Sequence, residues 1–151
     1  MSRISTRRRI PRPPSEVFDF VADLRKRGQF LPRNHSGFAV LTDQVEGAGA
    51  RAAYELAVAG RTRRLVLAVA ESEEGRRIVE RTGVEEPTFT TVWEFQAADG
   101  ETLVTLTIEY QAMPGLVGGL IELLVVRARL RRNYAELLRN LERALARQAS
   151  G

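Results

Sequence analysis

The stretch that decides the fold is TFTTVWEFQAADGETLVTLTIEYQA, residues 88–112. Asp99-Gly100 at its centre is the dipeptide favoured in two-residue type I′ hairpin loops. With that loop, Ala98 faces Glu101, Phe95 faces Val104, Trp93 faces Leu106, Thr91 faces Ile108 and Phe89 faces Tyr110. Side chains alternate along a strand, so these pairs share one face, which is aromatic and aliphatic. The other face carries Glu94 with Thr105, Val92 with Thr107 and Thr90 with Glu109. A one-residue slip would destroy that segregation. The stretch therefore reads as an antiparallel hairpin with one apolar and one polar face.

The same logic extends upstream. Ala59-Gly60 as a two-residue loop sets Tyr54 against Leu65, Ala52 against Leu67 and Leu56 against Arg63. It also sets Glu55 opposite Arg64 on the back face, where an ion pair is expected. Further strands are expected over Arg3–Ile10, Phe38–Thr42 and Arg76–Thr82, with turns at Val45–Gly49 and Ser72–Gly75. The register after that last turn leaves open whether Glu80 or Arg81 faces inward. Pro13-Pro14-Ser15-Glu16 starts a helix whose apolar face is Val17, Phe20, Val21 and Leu24, expected to break at Gly28. A short second turn then runs to Pro32, and Arg33–Gly37 reads as loop.

From Leu116 to about Arg147 there is no proline and a helical apolar period begins. Leu116, Leu120, Leu123, Leu130, Tyr134, Leu137, Leu138, Leu141 and Leu145 fall in a stripe of roughly 100°, the width of a core-facing side. This long helix is what covers the apolar face of the sheet.

Composition bounds the chemistry. The chain has 151 residues, 44% hydrophobic and 28% charged, which suits one domain. It has no Cys and a single His, His35, so zinc–thiolate, iron–sulfur and His-rich metal sites are excluded and no cofactor is expected. Neither a secretory signal nor a membrane span is legible, so a cytoplasmic location is expected. The net charge of +4 comes from Arg, Lys26 being the only Lys, a composition suggesting a GC-rich bacterial genome. Arg129, Arg132, Arg139, Arg143 and Arg147 fall on the outward face of the long helix and read as a solvated face. Nucleic-acid binding would want aromatics among them, and the aromatics map inward.

Several segments resemble the polyketide cyclase/dehydrase and lipid-transport branch of the START/birch-allergen-like (SRPBCC) superfamily. They are Ile10 with Pro14–Asp23, Phe30-Leu31-Pro32, Gly47-Ala48-Gly49, Thr91-Val-Trp93-Glu-Phe95 and the closing Arg132–Glu142 helix. Phe30-Leu31-Pro32 is also similar to coenzyme-Q-binding relatives. The resemblance implies an α+β helix-grip fold. A curved antiparallel sheet of about seven strands wraps a long C-terminal helix, with two short helices after the first strand. One such domain is expected over 1–148, with 149–151 as a tail.

The resemblance further implies a deep cavity between sheet and helix that holds a lipid, polyketide or quinone-like molecule. Combined with the register, it makes Tyr54, Leu67, Phe89, Thr91, Trp93, Leu106, Ile108, Tyr110 and Leu120 the expected ligand-binding residues. Arg127 lies mid-stripe on the apolar side of the helix, where a charge needs a partner or water. It either binds an acidic or carbonyl group of the ligand, snorkels to an edge, or pairs with an internal carboxylate such as Glu80. A carrier or binding protein is the expected function. The alternative is a cyclase, aromatase or dehydratase using Tyr54, Tyr110, Arg127 and His35, the last expected in a loop at the cavity rim. Val117, Ile121, Leu124 and Val125 point away from the inner stripe. They serve a cavity mouth, a homodimer, a transient membrane contact, or a site covered by the loop around 83–88.

Overall fold

The structure is a computed structural model that describes residues 2–58, 60–83, 87–110 and 119–150, and the side chains among them except at 2, 58, 87, 88, 119–126, 149 and 150. Strand β1 (Ser2–Ile10) leads into helix α1 (Pro14–Ala22) and a 3₁₀ helix (Leu24–Gln29). Six strands follow: β2 (His35–Val40), β3 (Arg51–Val58), β4 (Arg61–Glu73), β5 (Arg77–Gly83), β6 (Pro87–Ala98) and β7 (Glu101–Tyr110). Helix α2 (Gly119–Ser150) closes the fold. The sheet is antiparallel with order β1-β7-β6-β5-β4-β3-β2, so the first two strands are its two edges. This is the helix-grip arrangement expected from the sequence.

Both hairpin registers are found as read. Phe89 pairs with Tyr110 through to Ala98 with Glu101, and Tyr54 pairs with Leu65. Asp99 and Gly100 have φ of 53° and 81°, the double positive φ that a type I′ loop demands. Trp93, Phe95, Val104, Leu106 and Ile108 are buried on one face, as the alternation requires. Leu137, Leu138, Leu141 and Leu145 of α2 are buried against the sheet. Glu55 and Arg64 are register partners, but the expected ion pair between them does not form. Both are exposed, where water competes with such a pair.

Local boundaries depart from the sequence reading where a side chain or bulge intervenes. Helix α1 ends at Ala22, not Gly28. Asp23 Oδ1 accepts from the Arg25 backbone N–H at 3.0 Å and restarts the chain as a 3₁₀ helix that contains Gly28. The segment read as loop at His35–Gly37 is the start of β2. Gly37, with φ of 62°, sits in the register shift between Ser36 and Ala39, so it marks a bulge within a strand. Strand β4 runs on to Glu73 with a second shift between Val69 and Glu71. That bulge settles the open register: Glu80 pairs with Val69 and Thr91 and is buried, while Arg81 is exposed.

Candidate functional site

One end of the interior, under α1 and the 3₁₀ helix, is filled by the protein's own side chains. Phe30 packs edge-on to Trp93 with ring centroids 6.4 Å apart, and Trp93 stacks on Phe95 at 6.3 Å. Within this aromatic wall lies a fully buried ion pair. Arg27 Nη2 donates to Glu80 Oε2 at 2.6 Å and Nη1 donates to Oε1 at 3.1 Å, both side chains being 3% exposed. Trp93 Nε1 adds a third donor to Glu80 at 3.3 Å, and Arg27 Nη2 also donates to the Val21 carbonyl at 3.3 Å. The guanidinium lies 5.6 Å from the Phe30 ring centroid and 5.4 Å from that of Trp93. Such a pair is retained against its desolvation cost only with this kind of geometry and extra hydrogen bonding.

Arg27 is the residue the sequence reading missed. It lies in the run Leu24-Arg25-Lys26-Arg27, which looks like a solvated basic patch. A 3₁₀ helix aligns residues three apart, so Arg27 shares the face of buried Leu24, and that spacing was the available signal.

The other end of the interior keeps a small hollow of about 40 Å³, enough for one or two waters. Its apolar wall includes Leu56, Leu65, Phe89 and Leu130. Its polar groups are His35, Tyr54, Thr82, Asn133 and Tyr134. Among the described residues the aromatic wall and the ion pair fill the interior beyond this hollow.

The polar groups of the hollow are neutral. Burial lowers the His35 pKa to about 4, against the opposing pull of the Glu136 charge. Its ring stacks on Tyr54 with centroids 5.1 Å apart. Asn34 Nδ2 donates to the Ala57 carbonyl at 3.5 Å, which leaves Asn34 Oδ1 to accept from His35 Nδ1 at 2.8 Å. The proton therefore sits on Nδ1, and Nε2 is an acceptor. Burial raises the Tyr54 phenol well above its ordinary range. The Tyr134 phenol is pushed up to about 12, again by burial, partly offset by a hydrogen bond with Thr91. Both phenols stay protonated donors at neutral pH.

Of the residues expected at the site, Tyr54 and Phe89 line this hollow. Leu67, Thr91, Trp93, Leu106, Ile108 and Tyr110 are buried on the inner face of the sheet outside its immediate lining. Thr91 bonds Tyr134, Trp93 bonds Glu80, and the buried Tyr110 Oη has no partner among the described residues. The Leu120 side chain lies outside the described residues, as do Val117 and the side chains of Ile121, Leu124 and Val125. Arg127 does not point inward. It is half-buried, and Nη2 donates to the Arg3 carbonyl at 3.5 Å. Strand β1 is a sheet edge with unpaired carbonyls, and the long Arg stem reaches them. His35, expected in a rim loop, is on β2 and forms part of the wall. No helix among the described residues is long and apolar enough to cross a membrane.

A sheet that grips a long terminal helix, with an apolar interior and a few buried polar groups, defines the START/birch-allergen-like (SRPBCC) class. Within it, the chain belongs to the family described as polyketide cyclase / dehydrase and lipid transport, which it matches over residues 1–146. No curated protein matches it. Among solved structures it is similar to the KanY protein (ms6282), at 23% identity and TM-score 0.80, covering 97% of this chain and 99% of that one. It is similar to TTHA0849 from Thermus thermophilus, at 25% identity and TM-score 0.79, covering 99% of this chain and 100% of that one. A third is DynU16, from the dynemicin biosynthetic locus, at 19% identity and TM-score 0.66, covering 97% of this chain and 48% of that one.

Proposed function

We propose that the protein binds an uncharged hydrophobic small molecule, lipid, polyketide or quinone-like, through a carbonyl or hydroxyl group, and acts as a carrier or binding protein. The observation that carries this reading is the neutral polar set of His35 Nε2, Tyr54 and Tyr134 in a largely apolar hollow. Two phenols supply donors for a carbonyl and the imidazole supplies an acceptor for a hydroxyl. The nearby charges of Arg27 and Glu80 neutralise each other, though Arg27 Nε has no partner among the described residues, and no charged side chain among the described residues lines the hollow. This replaces the acidic ligand that an inward Arg127 would have suited.

A ligand of more than a few heavy atoms must widen the hollow. The half-buried side chains Leu56, Phe89 and Leu130 are the ones able to yield. The family's description also supports a cyclase or dehydratase reading. Phenols raised this far are poor proton donors and hold almost no phenolate at neutral pH, and an imidazole titrating near pH 4 is a weak base, which favours binding over proton transfer.

Native mass spectrometry of the purified protein tests the proposal. A co-purified neutral hydrophobic molecule is expected, reduced in the Tyr54→Phe/Tyr134→Phe variant. Recovery of ligand-free protein, together with no uptake of added quinones or fatty alcohols, would refute it.

A further inference from the structure

A second concavity lies outside the grip, where the loop after the 3₁₀ helix meets α2. It encloses about 310 Å³ between Leu31 and Arg33 on one side and Glu136, Arg139, Asn140 and Arg143 on the other. Two polar staples hold its walls together. Glu136 Oε2 accepts from the Arg33 backbone N–H at 2.7 Å, and Asn140 Nδ2 donates to the Leu31 carbonyl at 3.1 Å. The Arg33 side chain is 93% exposed, with Nε 3.8 Å from Glu136.

Arg139 and Arg143 are four residues apart on one helix face, exposed, and without an ion-pair partner among the described residues. Like charges at that spacing repel. The helix dipole accounts for cations only in the last turn, and Arg139 lies well before the end of α2 at Ser150. Three guanidinium groups against one carboxylate leave the cleft with two positive charges.

The geometry points to a binding site for a dianionic oxyanion, the phosphate of a small molecule or free phosphate. A phosphate monoester carries close to two negative charges at neutral pH, and paired guanidinium groups match its oxygens. The site is distinct from the neutral hollow. The two are separated by the 31–33 loop, whose Pro32 faces the hollow while Leu31 and Arg33 face the cleft.

NMR titration of the full chain at constant ionic strength and pH 7.5 tests this, using inorganic phosphate, methyl phosphate and acetate as probes. Saturable shifts are expected at the Arg33 and Asn140 amides with both phosphates, and acetate should bind at least tenfold more weakly. Tighter binding of methyl phosphate than of inorganic phosphate identifies a monoester as the occupant, and the reverse identifies the free ion. Arg139→Gln/Arg143→Gln should weaken phosphate at least tenfold, while Arg129→Gln/Arg132→Gln, an equal charge loss elsewhere on α2, should not. Unsaturable shifts, equal binding of acetate, or equal weakening by the two double variants would each overturn the proposal.

Discussion

Breaking the Arg27–Glu80 pair one partner at a time should cost far more than removing both charges together. Glu80→Gln keeps the shape of the side chain and an acceptor for Trp93 Nε1, but leaves the Arg27 guanidinium charged at 3% exposure. A buried charge stripped of its partner costs about 3–5 kcal/mol. Arg27→Met leaves the Glu80 carboxylate with only the 3.3 Å Trp93 donor and falls in the same range. Against a typical domain stability of about 5–15 kcal/mol, either variant is marginal. Its melting temperature should drop by roughly 6–20 °C. Arg27→Met/Glu80→Gln buries no net charge, so it should sit within about 2 kcal/mol of the wild type. Trp93 is the sole tryptophan and touches Glu80, so urea unfolding followed by its fluorescence reports on the site directly. Single variants that cost under about 1 kcal/mol, or a double variant whose cost is the sum of the singles, would refute the reasoning.

Three further outcomes are expected. His35, the only histidine, should titrate by NMR with a midpoint about 4 rather than the unperturbed 6.5. Its neutral form is the one the fold holds, so its contribution is complete above pH 6.5 and is lost as pH falls toward 4. About 3 kcal/mol of stability should disappear over that window in the wild type and not in His35→Gln. Asp23, whose pKa is lowered chiefly by the Arg25 hydrogen bonds, stabilises the fold above the ordinary carboxylate range and loses that contribution as pH falls below it. The melting-temperature gap between wild type and Asp23→Asn should therefore be open at pH 7 and closed near pH 2. Gly100→Ala, at φ of 81°, should destabilise by about 1–2 kcal/mol in chemical denaturation, with no change in the slope.

The hairpins were legible because a two-residue loop fixes the pairing of every residue beyond it. One dipeptide, Asp99-Gly100, therefore predicted the inner face from Phe89 to Tyr110. The long α2 was legible from its period. Bulges were not: an extra residue between Val69 and Glu71 leaves no mark in an alternating pattern, and it governs where Glu80 points. Gly37 was misread for the same reason, since a bulge glycine and a loop glycine look alike. At the site, the register placed Tyr54 and Phe89 on the inner face, and the resemblance supplied the expectation of a cavity there. Arg27 did not, because its partner lies fifty-three positions away on another strand. Arg127 took one of the three courses left open for it, the reach to a sheet edge, which a helical wheel cannot choose because it places a Cβ but not the far end of a side chain.

The sheet order has a consequence for the growing chain. Strand β1 precedes the other strands, yet its hydrogen-bonding neighbour is β7, so Ser2 cannot meet Tyr110 until the chain has grown by more than a hundred residues. At ribosomal rates of about 5–20 residues per second, Ile4 and Ile10 wait on the order of ten seconds before their strand can be paired. Closure of the grip therefore rests on a long-range pairing, and Ile4 and Ile10 have no strand to pair beside until it forms.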